Sequence, residues 1–279
     1  VHEVSGNAEL AEGNIDFRGD IVIHGNVESG VNIRATGSIT IDGVAEACML
    51  EACKDIILRG GMLGGNKASV KTKGAITAKF FEFTNILCEG DLQADVLMDC
   101  SVICHGQIRL TGRKGSIIGG KVQAIRGLIA TSLGNDAEKR TEIFVGAGID
   151  VYSRLRVMEK KIETTREELA KIEEGLEKFE ILSKERGVSY TNDPRRTSLL
   201  RIKIKDSAML ASDEEEVRKL RILAESSRGA CVSVIQEIYP GVIINMDELK
   251  LALKNMATGV EFYKLPDKIG TRPCSAGVE

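Results

Sequence analysis

Between Ile15 and Val151 apolar positions recur six residues apart, coil after coil. At the start the pattern is nearly strict: Ile15, Ile21, Val27, Ile33 and Ile39 keep step, and Gly13, Gly19, Gly25 and Gly37 stand two residues ahead of a mark. Six is a multiple of the strand period of two and does not fit the helical 3.6. Each mark therefore presents the same face of a strand, and the glycine turns the corner between faces. Six nine-residue copies align: Ile33 to Ile41, Leu50 to Leu58, Val70 to Ala78, Ile86 to Ala94, Val102 to Leu110 and Val122 to Ala130, beginning 16 to 20 residues apart. Their rule is apolar, any, small, any, glycine or basic, any, Ile or Leu, any, apolar. Ile15 to Ile23 and Ile143 to Val151 read as worn copies at the two ends. A fixed period of this size predicts a solenoid of parallel strands stacked ~4.8 Å apart, with about eight coils making a rod of about 40 Å.

After Val151 the period changes. Leu155, Met158, Ile162, Thr165, Leu169, Ile172, Leu176 and Phe179 alternate three and four apart, a heptad seam that needs a partner helix. Glu167 with Lys171, Glu174 with Lys178 and Glu180 with Lys184 are spaced for pairing along the helix surface. Gly187 ends this helix, and a loop carrying Tyr190 leads to Asp193 and Pro194, an N-cap followed by a first-turn proline. The second helix runs through Leu199, Leu200 and Met209 to about Ser227 with a less regular seam, and Ser212 with Glu215 forms a capping-box pattern that predicts a break near Ala211. The arrangement expected is an antiparallel hairpin with arms of about 30 residues, ~45 Å each.

Beyond Gly229 the strand period returns at Val232, Val234 and Ile238, followed by the stretch from Tyr239 to Asn245. The segment from Glu248 to Met256 fits either a short helix or a polar strand, and Val260 to Lys264 is a last strand suited to covering the open end of the rod. The expected organisation is a solenoid over 1–152, a coiled-coil hairpin over 153–228, a return to the solenoid with a β cap over 229–265, and a disordered tail over 266–279 containing Pro273 and Gly277. The fold class is mainly β with a helical insertion.

Composition agrees with a thin apolar core: 43% of the 279 residues are hydrophobic and 29 are glycine, whereas aromatics are 4% with no Trp. A net charge of -3 gives no electrostatic reason to expect nucleic acid. No apolar run reaches the length of a membrane span, and no signal segment opens the chain. Cys48, Cys53, Cys88, Cys100, Cys104, Cys231 and Cys274 are odd in number and mostly fill the small-residue slots, which reads as reduced, buried thiols in the cytoplasm. The missing initiator Met is expected of a fragment.

Candidate chemistry is sparse. Two glycine-rich corners, Gly60, Gly61, Gly64 and Gly65 in one and Gly115, Gly119 and Gly120 in the other, interrupt the coils. Gly115 to Lys121 matches the first seven places of a phosphate-binding loop, but Val122 replaces the metal-binding hydroxyl and a strand follows in place of a helix, so both corners read as structural. Hexad solenoids include acyltransferases and zinc carbonic anhydrases. A zinc site of that kind needs three converging histidines, and His2, His24 and His105 lie too far apart along the coils. The cysteine spacings are not Cys-x-x-Cys, and no nucleophile motif is present, so no catalytic residue, metal or cofactor is assigned. The expected surface of function is the hairpin tip, where Arg195 and Arg196 beside Tyr190 and Asp193 can dock an acidic partner or a phosphate, the plain alternative being a solvated turn between the helices.

The order of these elements, with Gly60-Gly61-Met62-Leu63-Gly64-Gly65, Gly115-Ser116-Ile117-Ile118-Gly119-Gly120 and the later Tyr239-Pro240-Gly241-Val242, resembles the bacterial flagellar assembly protein A family from about Gly13 to about Lys264. The resemblance implies a right-handed parallel β-helix with a protruding coiled coil, and a non-enzymatic cytoplasmic protein linked to flagellar assembly or its placement in the cell. It also implies a further N-terminal domain that this chain lacks. The function expected is a structural adaptor acting through homo-oligomers and flagellar or regulatory protein partners, without membrane insertion. A polymer-forming scaffold similar to bactofilins and a β-helix enzyme are the alternatives.

Overall fold

The computed structural model describes residues 1–274 other than Arg113, Val188 and Asn192. The chain divides into two compact units, Val1–Gly148 with Ser226–Glu279, and Ile149–Glu225.

The first unit is a β-solenoid of about seven turns, mostly parallel. The six aligned copies stack in the register that the sequence predicts. Ile33, Leu50, Val70, Ile86, Val102, Val122 and Ile143 follow one another up one face. Ile21, Ile39, Ile56, Ile76, Leu92, Ile108 and Leu128 form a second ladder. A third, which the copy alignment does not contain, runs through Ala8, Val27, Ala45, Met62, Phe81, Leu97, Ile117 and Leu133. Each coil thus has three faces, and the hexad of the first coils is one mark per face. Every one of these third-face residues is at most 2% exposed, so the core is three apolar columns meeting along the axis.

The corners explain why glycine and a short polar residue recur together. The Asn7 side chain accepts the Asn26 amide of the next coil at 2.8 Å, and Asn26 does the same for Val44 at 2.8 Å. Asp20 serves Ser38, and Asp91 serves Gln107, each at 2.8 Å. At Gly60 an added Cβ would lie 2.2 Å from the Gly43 carbonyl oxygen, so stacked corners leave no room for a side chain.

The worn copy at Ile143 to Val151 is only half a copy. Thr141–Val145 is the expected strand, but Gly146 and Gly148, at φ +99° and +74°, turn the chain out of the coil. The long helix α1, Gly148–Arg186, starts there, earlier than 153. Its missing second strand is supplied by Cys231–Ile238, which stacks Val232 on Leu128, Val234 on Ala130 and Ile238 on Leu133. Val242–Met246 then seats on Thr141–Val145. The whole second unit is therefore inserted at one corner of one coil.

Three antiparallel strands finish the solenoid. Leu249–Ala252, in the segment that fitted helix or strand equally, pairs with Val242–Met246. Ala257–Lys264 covers Cys231–Ile238 as expected. Ile269–Pro273 corrects the expectation of a disordered tail from 266: it pairs with Ala257–Lys264, and Arg272 bonds the Glu261 carboxylate, which Ser233 also contacts at 3.2 Å. Gly277 lies outside the described residues.

Candidate functional site

The second unit is a pair of helices, α1 and α2, the latter spanning Pro194–Ser226. Both are longer than the predicted arms. Arg154 pairs with Glu216, Glu159 with Arg221 at 2.7 Å, and Glu173 with Lys203 at 2.7 Å, so the helices run antiparallel. The seam of α1 faces α2 throughout: Ile162 and Thr165 are buried, and Leu155, Met158, Leu169, Ile172, Leu176 and Phe179 are half-buried. None of the three Glu-to-Lys pairs expected along α1 closes within 4 Å, and the ion pairs between the helices use other residues, among them Lys161 with Asp213, Arg166 with Glu214 and Glu173 with Lys203.

On α2 the seam is Arg196, Leu199, Lys203, Asp206, Leu210, Asp213, Val217 and Leu220, again three and four apart. Four of its eight places are charged, which hides it from an apolar pattern. The break expected near Ala211 is absent, since Ser212 and Glu215 lie inside an unbroken helix and Glu215 pairs with Arg218 at 3.1 Å. Asp213 is only 8% exposed. Lys161 Nζ approaches its Oδ2 at 2.7 Å, close enough for an ion pair but not aligned as a hydrogen bond.

The four tip residues have separate roles. The Tyr190 ring packs against Phe179, centroids 6.2 Å apart at 57°, and so closes the last rung of the seam. Asp193 is the N-cap of α2: its Oδ1 accepts the Arg195 amide at 2.8 Å, and its carbonyl accepts the Thr197 amide at 3.0 Å. The Arg195 guanidinium lies 3.3 Å from Asp193 Oδ2, and this side-chain bond holds the carboxyl below its ordinary range and raises the arginine. Arg195 is thus engaged in the cap. Arg196 makes no ion pair among the described residues, nor does Lys184. The two cations line an open hollow of about 500 Å³ with Phe179, Tyr190 and Ser189, against one carboxylate, Glu180.

The glycine corners are structural. Gly119 and Gly120 have φ of +72° and +76°, and a Cβ on Gly120 would lie 2.2 Å from the Cys100 carbonyl oxygen. Lys121, the seventh place of the loop-like motif, stands in a strand with its Nζ 4.6 Å from the Phe144 ring centroid. Gly61 and Gly65 also take positive φ, whereas Gly64 and Gly115 press against backbone oxygens of neighbouring segments.

The small-residue slots of the first face hold more than size. Thr72 donates its hydroxyl to the Lys54 carbonyl, and Cys88 and Cys104, adjacent rungs of one ladder, each lie against the Gly90 carbonyl at 3.3 and 3.2 Å. A small donor therefore satisfies a corner carbonyl inside an otherwise apolar core. Burial pushes the Cys48 thiol up to about 12 and Cys100 to about 11; contact with Cys88 and burial raise Cys104. His24 Nδ1 meets Asp42 at 2.8 Å on the exterior and His2 lies by Phe17; among the described residues no three His, Cys, Asp or Glu side chains gather as metal ligands. No helix of the described residues is long and apolar enough to cross a membrane.

Comparison with curated proteins and with solved structures gives no match. A family model, FapA: Flagellar Assembly Protein A beta solenoid domain, matches residues 1–269, the solenoid, the inserted helix pair and the antiparallel finish together. The chain belongs to this flagellar assembly family.

Proposed function

We propose that this chain is a non-enzymatic adaptor of flagellar assembly, acting in the cytoplasm as a rigid solenoid mount whose coiled-coil hairpin self-associates and holds a protein partner at its tip. The observation that carries the reading is the division of labour at the tip. Asp193 occupies Arg195, whereas Arg196 and Lys184, which make no ion pair among the described residues, line an aromatic hollow that holds one carboxylate, Glu180. Two such cations suit an acidic segment of a partner, where charge-assisted bonds form in a partly desolvated recess. A bactofilin-like polymer gains less support, because both strands of the last parallel coil are already paired by antiparallel strands.

The test is complementation. A strain without its own copy is given the wild-type protein or the Lys184→Glu/Arg196→Glu variant at equal level, and flagella are counted by electron microscopy. The variant is expected to keep its fold and lose most of its complementation. Wild-type flagellation by the variant would exclude the tip as the working surface.

A further inference from the structure

We propose that Cys88 and Cys104 are a redox couple inside the solenoid, which a hydroperoxide oxidises to one disulfide that closes a complete coil into a ring. This is independent of the hairpin tip and of any partner held there. The two residues are register partners in the parallel pairing of Phe80–Cys88 with Ser101–Cys104, where adjacent strands lie ~4.8 Å apart. That spacing falls inside the ~4.4–6.8 Å over which a disulfide joins two Cα atoms. Both side chains occupy the inward small-residue slot, which Thr72 fills one coil earlier and Ala124 one coil later. Their sulfurs converge on a single oxygen, the Gly90 carbonyl, at 3.3 and 3.2 Å. Among the described residues no other two cysteines are register partners in the ladders.

The surroundings suit the oxidised form as well as the reduced one. Besides Gly90, the Cys88 sulfur lies 3.3 Å from the Gly74 carbonyl oxygen and 3.5 Å from that of Asp91, and the Cys104 sulfur lies 3.9 Å from that of Gln107. Each of these four carbonyls already accepts a backbone amide: Gly74 from Gly90 at 2.9 Å, Gly90 from Gly106 at 3.1 Å, Asp91 from Ile76 at 2.9 Å and Gln107 from Leu92 at 3.0 Å. Loss of both S–H donors therefore strands no buried acceptor. Contact with Cys104 holds the Cys88 thiol below its ordinary range, whereas contact with Cys88 and burial raise Cys104. Cys88 is thus the nucleophile and Cys104 the resolving thiol. Cys88 Sγ attacks one oxygen of the peroxide, the O–O bond breaks, and the departing oxygen takes up the thiol proton as water or alcohol. Cys104 Sγ then attacks Cys88 Sγ of the resulting sulfenic acid, the S–O bond breaks, and hydroxide leaves with the Cys104 proton as water. Two thiols lose two electrons in all, and the peroxide gains them. Both residues are 0% exposed, so the oxidant has to be small and the reaction slower than at exposed Cys53.

The test is hydrogen peroxide treatment of the full chain under native conditions, after reduction and removal of the reductant. Remaining thiols are then blocked with iodoacetamide in denaturant, and the chain is cut at acidic residues. Cleavage after Glu89, Asp91, Asp95 and Asp99 separates Cys88 from Cys104. The result expected is a linked peptide pair containing Cys88 and Cys104, lighter by two hydrogens than its separate thiol peptides and released by dithiothreitol. Cys88→Ser and Cys104→Ser are each expected to abolish the link, and Cys100→Ser to keep it, which distinguishes the two cysteines left on one peptide. The oxidised chain is expected to unfold at a higher guanidinium midpoint than the reduced one, and dithiothreitol to reverse the rise, because a closed coil leaves fewer unfolded conformations. Cys88 and Cys104 still reduced once Cys53 is fully modified, a link through Cys100 instead, overoxidation of Cys88 without a link, or an unchanged midpoint would each overturn the proposal. Mapping on the wild type decides the matter even where a serine variant fails to fold.

Discussion

Replacing Asp213 by Leu is expected to stabilise the hairpin. Asp213 occupies a seam position at 8% exposure, where a leucine would gain about 1.5–3 kcal/mol from burial, or about 2 kcal/mol once residual burial in the unfolded chain is discounted. Against this stands the loss of one ion pair. Lys161 has a side chain 44% exposed, and its ammonium meets Oδ2 without hydrogen-bond alignment, so the pair is half-solvated and contributes about 0–1 kcal/mol. Removing the carboxylate also ends its desolvation cost and leaves Lys161 free to return to water, so no stranded buried charge remains. The net gain is about 1–2 kcal/mol. Guanidinium unfolding of the full chain, followed at 222 nm where the two long helices dominate, measures it as a rise in midpoint at unchanged slope. A fall in midpoint for Asp213→Leu would show that the pair holds the helices in register more strongly than its exposure implies, and the reasoning would fail.

The remaining expectations concern single features. Gly175→Ala on α1 should stabilise the same transition by about 1 kcal/mol, since the new methyl meets Leu199 Cδ1 at an ordinary 3.4 Å; an unchanged or lower midpoint would mean that the seam is tighter there. Gly120→Ala should cost the solenoid more than about 3 kcal/mol, because positive φ and a 2.2 Å approach to the Cys100 carbonyl add together, and a near-native melting temperature would contradict that. Iodoacetamide at pH 8 should label exposed Cys53 first and leave Cys48, Cys88, Cys100 and Cys104 unmodified until denaturant is added, as read by peptide mass spectrometry. Asp193, whose folded carboxyl is held below its ordinary value, should support the start of α2 fully above pH ~4, and that support should vanish as pH falls through the lowered folded value. Amide exchange at Arg195 and Thr197 follows it, and Asp193→Ala should remove the dependence.

The sequence made the solenoid legible where chemistry is periodic and obscured it where shape alone decides. Two of the three ladders could be read in register because Ile, Leu and Val repeat at each rung. The third mixes Ala45, Met62, Phe81 and Leu97 at variable spacing, since its corners change length between coils, and so escaped the alignment. On the hairpin, α1 displayed its seam through apolar residues, whereas α2 hid half of its own behind Arg196, Lys203, Asp206 and Asp213. A three-four spacing tolerant of charge would have found it. At the tip the residue types were visible but their allegiance was not: only geometry assigns Arg195 to the cap and leaves Arg196 without an ion pair among the described residues.

The place of the insertion follows from how a solenoid is held together. Cys231–Ile238 finds its seat because Leu128, Ala130 and Leu133 lie beneath it, not because of the residue that precedes it in the chain. A corner can therefore accept a long excursion, provided that the excursion returns close to where it left, since the entropy of closing a longer loop rises only about 0.6 kcal/mol per doubling of length. An antiparallel helix pair meets that condition by construction, and the Arg154–Glu216 and Glu159–Arg221 pairs near its open end hold the two strands of chain together. The glycines at 146 and 148 supply the exit that a regular corner lacks. Stacking thus fixes the solenoid independently of the hairpin's seam and tip, and changes on those surfaces are expected to leave the register of the coils unchanged.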